Sequence, residues 1–256
     1  MDKPEQDAYG RMAYRGLIAW PERLQREAPL LLRALGAGSS RRVLDLGCGS
    51  GEHSRFLASQ GFEVTGLDAS ASQVQAATEA DPRGRYLQAS LTALPVADLA
   101  PQGGALCVGN TLPHLCEEDQ LRVFFTGLAD CLSPGAAFLL QLLNYDRILD
   151  RSERTFPLVL RPGAAKGEDT LFLRLMTHHG EGRLTFTPAT LRHRPGCVPP
   201  LEVLAAEEVS LRGWRRAEVE ALLEECGFRL RETLGTMTGD PWSPTSSDLV
   251  VIAERV

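Results

Sequence analysis

Val43-Leu44-Asp45-Leu46-Gly47-Cys48-Gly49-Ser50-Gly51 is the stretch whose reading decides the fold. An apolar run of strand type passes straight into a Gly-x-Gly-x-Gly turn, which predicts a buried strand over about 42–46 and a helix over about 51–60. Glycines there let the backbone come close to a ligand at the mouth of a parallel sheet. Gln60-Gly61-Phe62-Glu63-Val64-Thr65-Gly66-Leu67-Asp68 then supplies a second strand ending in an acid. A carboxylate at a strand tip can accept hydrogen bonds from both hydroxyls of a ribose. The pair predicts a nucleoside-containing cofactor.

Working outward, Ser70 suits the N-cap of a helix over 71–80, and strands are expected at 85–89, 105–108 and 137–142. A helix over about 117–132 precedes the Ser133-Pro134-Gly135 turn. Strand alternating with helix predicts an α/β fold, a parallel sheet with helices on both faces. Upstream, Pro21 opens a helix whose Leu24, Ala28, Leu31, Leu32 and Leu35 share one face, ended by Gly36-Ala37-Gly38. Near Thr155 the pattern changes. Residues 155–211 are rich in Pro, Gly and Arg, with antiparallel strands expected at 171–176 and 183–187 around a His178-His179-Gly180 tip. A helix over 215–226 and strands at 228–235 and 248–254 close the chain. The expected organisation is an N-terminal helical cofactor-covering segment (1–40), a doubly wound Rossmann-like domain (41–154 and 212–256) and an inserted antiparallel β lid (155–211).

The 256 residues suffice for one full core. A net charge of −6 argues against a nucleic-acid partner, whose binding surface is normally basic. No apolar run reaches the roughly 18 residues that a membrane span needs, and the Met1-Asp2-Lys3-Pro4-Glu5 start is too polar for a signal peptide. None of the six cysteines forms a Cys-x-x-Cys pair, so they read as free thiols in a cytoplasmic protein. Adjacent strand residues such as His178 and His179 point to opposite faces, so no metal site is expected.

The spacing Gly47-x-Gly49-x-Gly51 departs from the Gly-x-Gly-x-x-Gly of a dinucleotide site. With the closing hairpin and the Leu132-Ser133-Pro134-Gly135 segment, the chain resembles the class I S-adenosylmethionine-dependent methyltransferases over most of 40–150 and 210–256. That resemblance implies a seven-stranded sheet with an antiparallel last strand. It implies S-adenosylmethionine as cofactor and S-adenosylhomocysteine as product. Gly47, Cys48, Gly49 and Gly51 would lie under the amino-acid half, Asp68 and Ala69 at the ribose, and Val108 along the cofactor. Ser90 and Leu91 occupy the adenine position, where the family usually has an acid.

Val108-Gly109-Asn110-Thr111 and Asn144-Tyr145-Asp146 look like the glycine N-methyltransferase branch. The likeness implies that Arg23 holds the cofactor carboxylate and that Trp20, with Tyr9 or Tyr14, covers the cofactor. It makes Asn110 and His114 the catalytic candidates, Asn110 reaching the acceptor and His114, at the start of the next helix, also approaching the cofactor. In that branch an arginine directly precedes Asn-Tyr-Asp and holds the substrate carboxylate, and here the residue is Leu143. A carboxylate against an apolar side chain is costly to desolvate. Glycine is therefore disfavoured unless Arg161, Arg174, Arg192 or Arg194 replaces the clamp. The expected function is methyl transfer to a small-molecule acceptor, nitrogen favoured over oxygen. The alternatives are O-methylation, with His114 or a lid histidine as base, and a regulatory module that binds the cofactor without chemistry. A nicotinamide oxidoreductase, a site that has lost its cofactor, and a protein or RNA methylator stand further off. Oligomeric state is left open.

Overall fold

A computed structural model describes residues 18–256 apart from residues 39, 100, 164 and 166. Tyr9 and Tyr14 lie outside the described residues. Strands β1 (Arg42–Leu46), β2 (Glu63–Asp68), β3 (Arg85–Gln88), β4 (Gln102–Cys107) and β5 (Leu132–Leu143) alternate with helices α1 (Trp20–Gly36), α2 (Glu52–Ser59), α3 (Ala71–Ala80) and α4 (Glu118–Cys131), except that a 3-10 turn (Val96–Asp98) stands between β3 and β4. After α5 (Tyr145–Asp150) come β6 (Val159–Pro162), β7 (Asp169–His178), β8 (Arg183–His193), β9 (Leu201–Ala206) and β10 (Val209–Arg212). Helix α6 (Arg216–Glu225) and strands β11 (Phe228–Leu234) and β12 (Asp248–Arg255) complete the chain.

The seven-stranded sheet runs β11-β12-β5-β4-β1-β2-β3, with β12 antiparallel to both of its neighbours and the pairs from β5 to β3 parallel. Successive strand side chains point to opposite faces, and the chain uses both. Val43, Leu106, Leu139, Val250 and Ile252 pack against Leu30, Leu31 and Leu35 of α1 and Leu57 of α2. The alternate residues, Leu44, Leu46, Cys107, Phe138, Leu140 and Val251, join Phe124 and Phe125 of α4 and Leu222 and Leu223 of α6.

Several boundaries differ from those expected. Helix α1 buries Glu27, Leu30, Leu31, Ala34 and Leu35, while Ala28 and Leu32 are only half-buried. The apolar pattern pointed one position away because a buried glutamate reads as solvent-facing. Strand β5 starts at Leu132 and runs through Pro134 and Gly135, which had read as a turn. His114 ends a short 3-10 turn (Leu112–His114) and does not begin a helix. Helix α4 starts beyond it because Glu117 and Gln120 form a capping box, with Gln120 Oε1 accepting from Glu117 N at 3.1 Å.

The second sheet has five strands, not the two expected, in the order β10-β8-β7-β6 with β9 also on β8. Of the additional strands, β10 is only four residues long, β6 and β9 carry little apolar alternation, and β9 leaves Leu201, Val203 and Leu204 exposed. Met176, Leu184, Val209 and Leu211 belong to the main core, whereas Phe172 with Val159 and Ala205 forms a small cluster of the second sheet's own. Burying each such side chain stabilises by about 1.5–3 kcal/mol, so this sheet is anchored over the end of the first. Trp214, fully buried, adds an Nε1–H bond of 2.8 Å to Leu115 O.

Candidate functional site

The carboxyl ends of β1 to β5, the start of β12, the β11–β12 connection, α1 and the inner face of the second sheet wall a cavity of about 1020 Å³. That is the crevice where open α/β sheets place ligands, at the upper end of the usual pocket size.

The glycines of the turn do different work. All three have positive φ: Gly47 at +73°, Gly49 at +54° and Gly51 at +79°. A Cβ on Gly47 would fall 2.4 Å from Thr111 Cγ2, so Gly47 is required for packing against the turn after β4. A Cβ on Gly49 would meet only Gln73 Oε1, at 3.8 Å, and Gly49 faces the cavity. Gly51 packs on the Tyr86 ring and is not on the cavity wall, unlike Gly47, Cys48 and Gly49.

Asp68 sits beside this turn. Its Oδ2 accepts from Gly49 N at 2.8 Å and its Oδ1 from Ser70 N at 2.9 Å. Burial pushes its carboxyl above the ordinary value, against the pull of the Ser70, Gly49 and Ala69 backbone. A carboxylate oxygen has two lone pairs, so each can still accept a hydroxyl from the cavity. Ala69, Ser90 and Leu91 continue the wall, with Ser90 Oγ 2.9 Å from Thr92 Oγ1. Burial also drives the Cys48 thiol far above its usual range, so Cys48 is a packing residue of the wall and not a thiolate nucleophile.

Across the glycine turn, Arg23 Nε donates to Glu27 Oε1 at 2.8 Å, and His53 Nε2 stands 2.8 Å from Glu27 Oε2. Burial raises the Glu27 carboxyl, but the His53 hydrogen bond and the charge of Arg23 outweigh it and hold the group below its ordinary value. The Arg23 guanidinium lies 5.0 Å from the Trp20 ring centroid, and its Nη2 is 4.0 Å from where a Cβ on Gly109 would lie. Trp20 Nε1 is buried on the same wall with no hydrogen-bond partner among the described residues. An unmet indole N–H, an arginine with Nη atoms at the wall, an open glycine and a carboxylate at the next strand tip match the donors and acceptors of an amino acid joined to a nucleoside.

At the other end, Asn110 takes φ +67°, a conformation that asparagine tolerates better than most residues. Its Oδ1 accepts from Leu143 N and its Nδ2 donates to the Tyr145 hydroxyl, both at 3.0 Å. The Asn-Tyr-Asp triplet thus acts as three ties. Asn144 donates to Ser243, Pro244 and Ser246 carbonyls, Tyr145 orients Asn110, and Asp146 accepts from Arg216 N at 2.8 Å at the start of α6.

Val108, Asn110, His114 and Leu143 all face the cavity. Of the four lid arginines only Arg174 does, and its guanidinium lies 5.4 Å from the Phe156 centroid. Arg192 and Arg194 pair with Glu168 and Glu202. The lid histidines are off the wall: His178 is held by Glu153 O, His179 by Thr185 and His193 by Asp169. Among the described residues no group of three or more His, Cys, Asp or Glu is placed to hold a metal.

Sequence reasoning missed Gln141, Ser247 and Asp248. Gln141 Oε1 accepts from Gly109 N and its Nε2 donates to Asp248 Oδ1, both at 2.7 Å. The signal was there: a glutamine inside the apolar run Leu139-Leu140-Gln141-Leu142-Leu143 needs a polar partner when buried.

Residues 43–135 match the family model of a methyltransferase domain. Residues 43–135 therefore carry a methyltransferase domain, and the seven-stranded sheet with its antiparallel β12 is the class I S-adenosylmethionine-dependent methyltransferase fold. Glycine/sarcosine N-methyltransferase of Halorhodospira halochloris is 30% identical over 138 residues, 52% of this chain and 52% of that protein. The chain thus spans about half the length of the curated relatives it matches. Two solved structures share the methyltransferase fold throughout. The CcbJ methyltransferase of Streptomyces caelestis has a TM-score of 0.75 at 20% identity, covering 99% of this chain and 100% of that one. The S-adenosylmethionine-bound amino pentose methyltransferase of Micromonospora echinaspora has a TM-score of 0.73 at 19% identity, covering 95% of each chain. Among the described residues, no helix is long and apolar enough to cross a membrane.

Proposed function

We propose that this protein transfers a methyl group from S-adenosylmethionine to the nitrogen of a small molecule other than glycine, with the second sheet as lid. The observation that carries the reading is one cavity joining the glycine turn and Asp68 to an acceptor end under Phe156, Met176 and Phe186. The cofactor, when bound, supplies a methyl group already activated on a sulfonium sulfur. The chain's own residues then have to bind, align and exclude water. Asp68 accepts the ribose hydroxyls, Gly49 lets the backbone approach, and Arg23 and Trp20 Nε1 donate to the carboxylate. Asn110, oriented by Leu143 N–H and Tyr145, fixes the turn that borders the acceptor.

Leu143 puts an apolar side chain where the glycine methylators have their clamp, which supports excluding glycine. The lid histidines that could have deprotonated a hydroxyl are off the wall, and the wall's His53 is tied to Glu27, which favours nitrogen over oxygen. His114, on the wall, is the observation that keeps O-methylation as the second reading. The test is label transfer from methyl-labelled S-adenosylmethionine to a matched panel of amines, alcohols and glycine, read by mass spectrometry. Methylated amines support the reading; methylated alcohols alone favour O-methylation, and methylated glycine removes the exclusion.

A further inference from the structure

Among the described residues four carboxylates line the cavity, and three are committed. Asp68 takes two backbone N–H groups beside the glycine turn. Glu27 is paired with Arg23 and His53. Glu52 is paired with Arg55 and accepts from Ser50 Oγ at 2.8 Å. The fourth, Asp248, is held only by neutral donors: Gln141 Nε2 at 2.7 Å on Oδ1 and Ser247 Oγ at 2.6 Å on Oδ2. No cation pairs with it among the described residues. Its position is fixed by backbone register. Asp248 stands directly opposite Leu143 across the β12–β5 ladder, and opposed residues point to the same face. Leu143 N is in turn bonded to Asn110 Oδ1, so Asp248 lies at the acceptor end.

We propose that Asp248 is a specificity-determining residue that binds a cationic nitrogen of the acceptor, distinct from the neutral nitrogen that takes the methyl. This rests on the methyl-transfer reading. The two neutral donors orient the carboxylate without cancelling its charge, and each oxygen keeps a lone pair for an incoming N–H. Leu143 beside it offers nothing to a second charge. An acceptor carboxylate at this place would meet an acid and an apolar side chain, whereas an ammonium gains a charge-assisted bond.

The test uses the full chain saturated with S-adenosylhomocysteine, titrated with benzylamine, benzyl alcohol and benzoate. Calorimetry gives affinities, and labelled leucine methyl resonances report the approach to Leu143. Benzylamine should bind best and shift the Leu143 methyls. Asp248→Asn, which keeps an oxygen for Gln141 Nε2, should weaken benzylamine by about tenfold or more, the loss of a charge-assisted bond, while leaving benzyl alcohol unchanged. Failure of benzylamine to bind, equal binding of benzoate or the alcohol, or an unaffected variant overturns the assignment. S-adenosylhomocysteine is titrated first. No heat at that step sinks the methyl-transfer reading itself, whereas heat there without amine preference sinks only the role of Asp248.

Discussion

Gly47→Ala and Gly49→Ala place the same methyl group two residues apart in one turn, and the structure predicts that the first mainly costs stability and the second mainly costs binding. Both glycines have positive φ, so each alanine carries a backbone cost of about 1–2 kcal/mol. At Gly47 the new Cβ also falls 2.4 Å from Thr111 Cγ2 and 2.7 Å from Thr111 Oγ1. Thr111 Oγ1 donates to Val108 O at 3.0 Å, so moving the side chain breaks a bond that holds the turn after β4. Overpacking adds about 1–3 kcal/mol, for a total of roughly 2–5 kcal/mol, which lowers Tm by about 5–15 °C in a chain of this size. At Gly49 the nearest atom is Gln73 Oε1 at 3.8 Å, so only the backbone cost remains and Tm should fall by about 2–6 °C. The Gly49 methyl instead projects into the cavity, where the proposed cofactor contact needs the backbone bare. Its S-adenosylhomocysteine affinity should drop about tenfold or more, as overpacking of a bound interface costs on the order of 1–3 kcal/mol. Thermal melts and calorimetric titration of both variants make the comparison. A Gly49→Ala protein that binds like wild type, or a Gly47→Ala protein as stable as wild type, refutes the division of roles.

Asp68→Ala should weaken S-adenosylhomocysteine by roughly 100-fold, the worth of about 3 kcal/mol for two hydroxyl bonds to a carboxylate, and unchanged calorimetric affinity would remove the ribose assignment. The Glu27 carboxyl is held below its ordinary 4.5, so its contribution to stability is complete above that value and is lost as pH falls below it through the lowered native value. Glu27→Gln should therefore flatten the acid limb of Tm against pH below about 4.5, and an unchanged slope contradicts the pairing. Cys197 is exposed, while burial pushes the Cys48 and Cys107 thiols far up. Iodoacetamide at about pH 8 should label Cys197 and leave both buried thiols untouched until the chain unfolds, as peptide mapping will show.

The first strand, its turn, Asp68 and the reversed last strand were legible because each rests on a local rule: apolar run, positive-φ glycine, strand-tip acid, closing hairpin. What was missed depends on contacts far apart in sequence. Nothing local marks Glu27 as buried, because its partners are Arg23, one turn back, and His53 in the next helix. Strand β4 begins early, at Gln102, across Gly103 and Gly104, where a Cβ on Gly103 would sit 2.3 Å from Ser40 O. Those glycines mark close backbone approach, not a loop. Asp248 opens a strand and carries no motif. Only the pairing of β12 with β5 brings it to Leu143. The lid strands β6 and β9 were invisible because they are held by ladder bonds and charged rims, with little apolar alternation to read.

The proposed binding of the nucleoside–amino acid cofactor of methyl transfer rests on the glycine turn, Asp68 and Arg23 of this cavity. Calorimetric titration of the purified chain with S-adenosylhomocysteine, alongside NAD under the same conditions, tests it most directly. Saturable one-to-one heat is expected with S-adenosylhomocysteine, weakened in Asp68→Ala and Gly49→Ala, and none with NAD. Heat with NAD alone, or with neither ligand, contradicts it.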